Sequence, residues 1–211
     1  SSAEEFADTN SVLLNASDLF PVGSISLVAF KIFGNKKPDE AILYAGSLCI
    51  HANSVLSHIF YDIIGGKISM LKKIENFVYE DSMGMSAWID NRRVLLGNRE
   101  LMKNHGITIP SLTKEKKYIK NDSVKVVYLS ISCEVVAVFH IEMKPSLEVG
   151  DQLEMLDKNN INIMLKTVDS VITVSNIAEI FNISPSILKI LPFRLHKEFD
   201  NSSIYKPKME A

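Results

Sequence analysis

The chain has 211 residues, 46% apolar and 23% charged, with a formal net charge of -2. The apolar share excludes an intrinsically disordered chain, and the near balance of charge excludes a protein built around a polyanion such as nucleic acid. The length accommodates one large or two ordinary domains.

No segment reaches the ~18 consecutive apolar residues of a transmembrane helix. The first residues also lack the charged-then-apolar pattern of a secretion signal, so the expectation is a soluble unit. Cys49 and Cys133 stand in apolar surroundings without CxxC spacing. Both are expected to be buried thiols of a reducing compartment, and no metal-ligand cluster is read.

In chain order, Ser11–Gly23 is a short apolar run that breaks into polar residues before Pro21 and Gly23. It predicts a buried strand ending in a loop, with Asn15 at the carboxyl end, where parallel-sheet folds place reactive groups. Ser24–Phe33 predicts a second strand, closed by the polar turn Gly34–Lys37. Pro38-Asp39-Glu40 opens a helix with one apolar face, and a second helix covers Ser54–Ile64, ended by Gly65-Gly66. Ile74–Glu80, Met85–Asp90 and Arg93–Leu96 predict an antiparallel meander, followed by a short helix over Asn98–Asn104. Lys114–Asp122 reads as a charged connector. Beyond it, strands at Val124–Ser132, Glu134–Ile141 and Ile161–Leu165 are interleaved with helices at Ser146–Asn159 and Ser170–Asn182, the signature of a parallel sheet with crossover helices. Asn201–Ala211 reads as a polar tail.

Three stretches carry a resemblance. The loop Asn15–Gly23 has the apolar lead-in and spacing of D-K-T-G-T-L-T-x-G, with Asn15 at the aspartate, Ala16 at the lysine and Ser17 at the first threonine. Glu80–Ile107 matches G-x-G-V-x-A-x-V, a turn, then V-L-x-G-N, a helix and G-I, through Gly84, Ala87, Val94, Leu95, Gly97, Asn98, Gly106 and Ile107, with Ser82 at the first glycine. Ile163–Ile183 is similar to V-M-L-T-G-D followed by I-A, with Thr167 and Asp169 on T-G-D. Together these resemble the phosphorylation and nucleotide-binding domains of P-type cation-transporting ATPases of the heavy-metal branch, members of the haloacid-dehalogenase superfamily.

That resemblance implies an α/β fold: a Rossmann-like, haloacid-dehalogenase-like parallel-sheet domain over 1–35 and 119–211, interrupted by an inserted α+β nucleotide-binding-like domain with an antiparallel sheet over 36–118. It implies that Thr167 meets phosphoryl oxygens, and that Asn15, Ser17, Thr167 and Asp169 are degenerate catalytic positions. Asp169 also reads as a cap of the following helix. Nucleotide contacts are implied at Ser82, Gly84, Gly97 and Asn98, and at Ser54, which aligns with the family's histidine, or at His58 one helical turn beyond. The implied cofactors are ATP and Mg. The implied partners are a nucleotide and parent transmembrane helices outside this chain, which would put it on the cytoplasmic side of a membrane.

The chemistry of the loop departs from the pattern. Phosphoryl transfer to protein needs a carboxylate nucleophile and a magnesium ion held by further acids. Asn15 removes the first, and the G-D-G-x-N-D loop that holds magnesium is absent after Pro192, where Arg194, His196, Lys197, Glu198 and Asp200 stand instead. The expectation is a catalytically degraded pseudo-ATPase with residual nucleotide binding or a regulatory role. The alternative is an active phosphotransferase or phosphatase with a displaced acid, for which Asp18 and Asp8 are candidates.

Overall fold

The computed structural model describes residues 10–119 and 121–199. Asp8, Asp200 and the predicted tail lie outside the described residues. Two sheets organise the rest. Strand β1 (Ser11–Asn15) runs parallel to β8 (Asn162–Lys166), which runs parallel to β9 (Leu188–Ile190), giving the order β1-β8-β9. The second sheet has six antiparallel strands in the order β2-β7-β6-β5-β4-β3. These are β2 (Ile25–Ile32), β3 (Glu75–Glu80), β4 (Gly84–Ile89), β5 (Arg92–Gly97), β6 (Val124–Ile131) and β7 (Glu134–Met143). The mixed α/β architecture, a parallel sheet with an antiparallel sheet inserted after its first strand, is therefore present.

Three strands outside 36–118 belong to the antiparallel sheet: β2 pairs antiparallel with β7, and β7 with β6, so the two strands after Asp122 do not join the parallel sheet as expected. The reason is local. β6 and β7 are joined by only Ser132 and Cys133, both at positive φ (50° and 66°). Such a turn closes a hairpin, whereas a parallel connection needs a crossover of a dozen or more residues. The turn lacks the usual Asn-Gly signal. It also places Cys133 in the open, so that of the two thiols expected to be buried only Cys49 is.

Four of the described helices begin at a residue whose side chain accepts from a first-turn N–H, and the other two begin without such a cap. Helix α1 (Pro38–Ala52) has proline in its first turn with Asp39 and Glu40, and stops at Asn53 in the left-handed region (φ 56°). Gly46 lets α2 (Ser57–Ile63) lie against it, since a Cβ there would stand 3.1 Å from the Cβ of Phe60. Helix α3 (Arg99–Asn104) is capped by Asn98, whose Oδ1 accepts from the Leu101 N–H at 3.0 Å. The charged connector contains a helix, α4 (Leu112–Tyr118). Ser111 caps it, and Glu115 ties it down by accepting from the Tyr128 hydroxyl at 2.7 Å and pairing with Arg99 at 3.2 Å. Helix α5 (Leu147–Lys158) is capped by Ser146, and α6 (Val174–Phe181) by Thr173, whose Oγ1 accepts from the Asn176 N–H at 3.1 Å. Thr173, not Asp169, therefore caps the helix after β8.

One apolar core joins the two sheets. Val12, Ile163 and Leu165 of the parallel sheet belong to the same buried cluster as Leu48, Cys49 and Phe60 of the helix pair and Phe139 and Ile141 of β7. A short 3-10 turn, Phe193–Phe199, follows β9. It lays Leu195 and Phe199 against Met164 of the parallel sheet and packs its other side on β3.

Candidate functional site

Parallel pairing in register brings the carboxyl ends of β1 and β8 together, with Asn15 opposite Lys166. A cleft of about 420 Å³ opens beyond those ends. Its floor is Asn15, Ala16 and Ser17 from the first strand and Lys166, Thr167 and Asp169 from the second. The four positions expected to be catalytic, Asn15, Ser17, Thr167 and Asp169, thus meet in one cleft. The opposite wall comes from the end of α1, with His51 and Asn53, and from Phe77 on β3. The 3-10 turn supplies Phe193, His196 and Lys197.

The floor offers the Asn15 amide, the Ser17 and Thr167 hydroxyls and Lys166. Ala16, at the position of the motif lysine, is 1% exposed and belongs to the core, so it presents only a methyl group. Lys166 of the neighbouring strand is among the lining residues. Asp18 is exposed in the turn after β1 and does not line the cleft.

Asp169 is the one carboxylate among the described cleft residues, and the fold commits both of its oxygens. Oδ1 accepts from the Ser54 hydroxyl in a short hydrogen bond, and Oδ2 accepts from the Val55 N–H at 2.9 Å. The side chain is 3% exposed. Burial pushes its carboxyl up to about 6 from the ordinary value of 3.8, against the opposing pull of the Ser54 and Val55 hydrogen bonds. Thr167 holds the same loop from below, its Oγ1 accepting from the Asp169 N–H at 3.1 Å while its own O–H remains a donor. Asp169 is thereby a tie between the loop after β8 and the loop between α1 and α2.

That tie changes the reading of Ser54. Its hydroxyl, which was aligned with a nucleotide-contacting histidine, is buried against Asp169 and also accepts from the Leu56 N–H at 3.0 Å. His58 points elsewhere too, with Nε2 at 3.1 Å from the carbonyl oxygen of Ile25 on β2. Neither lines the cleft. From this helix pair and the loop within it, His51, Ala52, Asn53 and Val55 line the cleft.

Gly84 and Gly97 face each other across the β4–β5 ladder. A Cβ on Gly97 would lie 2.2 Å from the carbonyl oxygen of Met83, and one on Gly84 would lie 2.4 Å from that of Leu96. Both are explained by close approach of backbone to backbone. Asn98 caps α3 and donates from Nδ2 to the carbonyl of Ser82 at 3.0 Å. Ser82 itself sits at φ 63°, with its N–H donated to the Tyr79 hydroxyl at 2.8 Å. Burial raises that phenol to about 12, so it stays protonated. Ser82, Gly84, Gly97 and Asn98 shape the β3–β4 turn beside the cleft and are not among the residues lining it.

The 3-10 turn closes the remaining side. The ring of Phe193 meets Phe77 edge to face at 5.9 Å, and the ring of His196 stacks on Tyr79 at 5.8 Å. The Phe193 N–H donates to Asp81 Oδ1 at 3.0 Å. This segment, where the sequence shows only the absence of an acidic magnesium loop, contributes aromatic rings and Lys197. A ligand in the cleft would meet the Asn15 amide, the Ser17 and Thr167 hydroxyls and Lys166 on one side, and rings together with Lys197 on the other.

No family model matches the chain. It is 22% identical over 154 residues to a copper-exporting P-type ATPase of Legionella pneumophila, a match covering 73% of this chain and 21% of that protein. The chain thus spans about a fifth of the length of that relative. Among solved structures, the catalytic domain of the CPx-ATPase CopB-B aligns with 96% of this chain and 71% of its own, at 14% identity and a TM-score of 0.46. The N-domain of a copper-transporting P-type ATPase aligns over 57% of this chain and all of its own, at 20% identity and a TM-score of 0.44. The resemblance to the heavy-metal branch of P-type ATPases, read from three motifs, is also the resemblance that these comparisons return.

Proposed function

We propose that this chain is the nucleotide-binding and phosphorylation-like part of a membrane protein resembling the heavy-metal P-type ATPases, and that it binds a nucleotide without being phosphorylated. On this reading it lies on the cytoplasmic side of the membrane, next to parent transmembrane helices outside this chain. Among the described residues no helix is long and apolar enough to cross a membrane.

The observation that carries the proposal is the pairing of Asn15 with a committed Asp169. An amide nitrogen or oxygen is a poor nucleophile toward phosphorus and cannot form the acyl phosphate that a carboxylate forms. The nearest acid cannot take its place, because both of its oxygens accept hydrogen bonds that hold the loop. Binding is a separate matter from turnover. His51 and Phe77 offer surfaces for a planar base, and Thr167, Asn15 and Lys166 offer donors for phosphate oxygens.

Calorimetric titration with ADP, combined with a measurement of ATP hydrolysis, tests the proposal. Saturable binding with no hydrolysis above the buffer rate is the expected result. Turnover of ATP at any enzymatic rate, or a failure to bind ADP at millimolar concentration, would overturn it.

A further inference from the structure

We propose that a groove separate from the cleft, formed where β2 ends, the β6–β7 turn closes and α4 begins, docks an acidic peptide that carries apolar side chains. The groove shares no lining residue with the cleft, so this inference stands apart from the nucleotide reading.

The floor is the outer side of a small core. Phe33, Ile109 and Val135 pack on the buried cluster that contains Leu95, Leu101 and Met102, and stay half-buried themselves. With Pro110 they line a groove of about 930 Å³. That lies at the upper end of the ~300–1,000 Å³ of ligand pockets and leaves room for several side chains.

The rim is cationic. Residues three apart share a helix face, so Lys114 and Lys117 of α4 both line the groove, and both are exposed. Glu115, between them, is instead held by Arg99 and Tyr128. Lys31 also lines the groove, with Nζ 5.4 Å from the centre of the Phe33 ring. The lining acid, Glu134, is paired with Lys36 at 2.9 Å.

An apolar floor under a cationic rim selects the partner. Lone phosphate would meet the lysines and leave the floor wet, and a flat bilayer would not reach into a concavity. An extended peptide alternates its side chains. One with leucines and acids in turn points apolar groups at the floor and leaves carboxylates at the level of the rim.

The probe is a fluorescein-labelled peptide of alternating leucine and glutamate, followed by fluorescence polarisation as the full chain is added. Saturable binding is expected, weakened by salt because the rim is exposed. The double substitution Lys114→Glu and Lys117→Glu should weaken it by about tenfold or more, two charge reversals at the rim. Both lysines are exposed, so an unchanged melting temperature separates lost binding from lost fold. A second handle needs no substitution. Cys133 lines the groove and is exposed, whereas Cys49 is buried, so a bulky maleimide goes onto Cys133 and should block the peptide. Equal binding of a peptide with lysine in place of glutamate would overturn the inference. So would binding indifferent to the lysine reversals or to the maleimide, and so would no binding at millimolar peptide. Attachment to phosphatidylserine vesicles without peptide binding would overturn it in favour of a membrane surface.

Discussion

The β3–β4–β5 turn region and the floor of the cleft carry the same resemblance and agree with it in different respects. In the turn region the residues that set backbone shape remain: Gly84 and Gly97 permit an approach no side chain allows, and Asn98 caps the helix that follows. On the floor β1 and β8 stand in register and Thr167 braces the loop, while the side chains differ from the motif. Asn15 stands at the position of an acid and Ala16 at that of a lysine, and Asp169 serves as a structural tie. Packing constrains the turn glycines whether or not a nucleotide binds. A side chain that only reacts has no such second function, so the fold does not depend on a carboxylate at position 15.

The contrast can be broken at either end. The largest effect is expected in the turn region, where Gly97→Ala puts a Cβ 2.2 Å from the Met83 carbonyl oxygen. The ladder must separate to accept it, which should cost about 4 kcal/mol or more in denaturant unfolding. A cost under about 1 kcal/mol would show that the glycine pair is not a packing requirement.

At the floor, Asp169→Ala should come next. It leaves the Ser54 hydroxyl and the Val55 N–H buried without an acceptor, a loss of roughly 2–4 kcal/mol. Asp169→Asn is gentler, because an amide can accept from Val55 and donate to Ser54, keeping the tie. Its effect lies in the pH dependence. The carboxyl is held at about 6 in the folded protein against 3.8 ordinarily, so the folded state binds the extra proton between those values. Its contribution to stability is present below pH 4 and is lost as pH rises through 6, in total about 3 kcal/mol at most. Unfolding curves collected from pH 4 to 7 should show this decline in the wild type and a flatter profile in Asp169→Asn. An identical slope in both would mean that another group carries the titration.

Much of this was legible in the sequence. The alternation of Ser24–Phe33 and of the two later strands predicted their existence, and the apolar run ending at Asn15 predicted the edge of the cleft. Sheet membership was not legible for β2, β6 and β7, because period-two alternation does not say which strand is the neighbour. The decisive feature was the two-residue turn at Ser132-Cys133, which has the geometry of a hairpin without its usual residues. Helix α4 was hidden for a related reason: its KEKK run reads as a solvated connector, and what stabilises it is the distant pair of Glu115 with Arg99 and Tyr128. At the site, Asn15, Ser17, Thr167 and Asp169 were found because motif spacing follows the chain. Lys166, His51, Phe77 and Lys197 enter through register and packing, which no local spacing encodes. The bond between Ser54 and Asp169, residues far apart in the chain, could not have been read at all.

The claim that the cleft has kept its shape and lost its phosphoryl chemistry is tested most directly by incubating the wild type and Asn15→Asp with radiolabelled ATP and magnesium and counting acid-stable phosphate on the protein. Neither should carry label, because restoring the carboxylate does not release Asp169 from Ser54 and Val55. Label on the wild type would contradict the account outright, and label on Asn15→Asp alone would show that only the nucleophile had been lost.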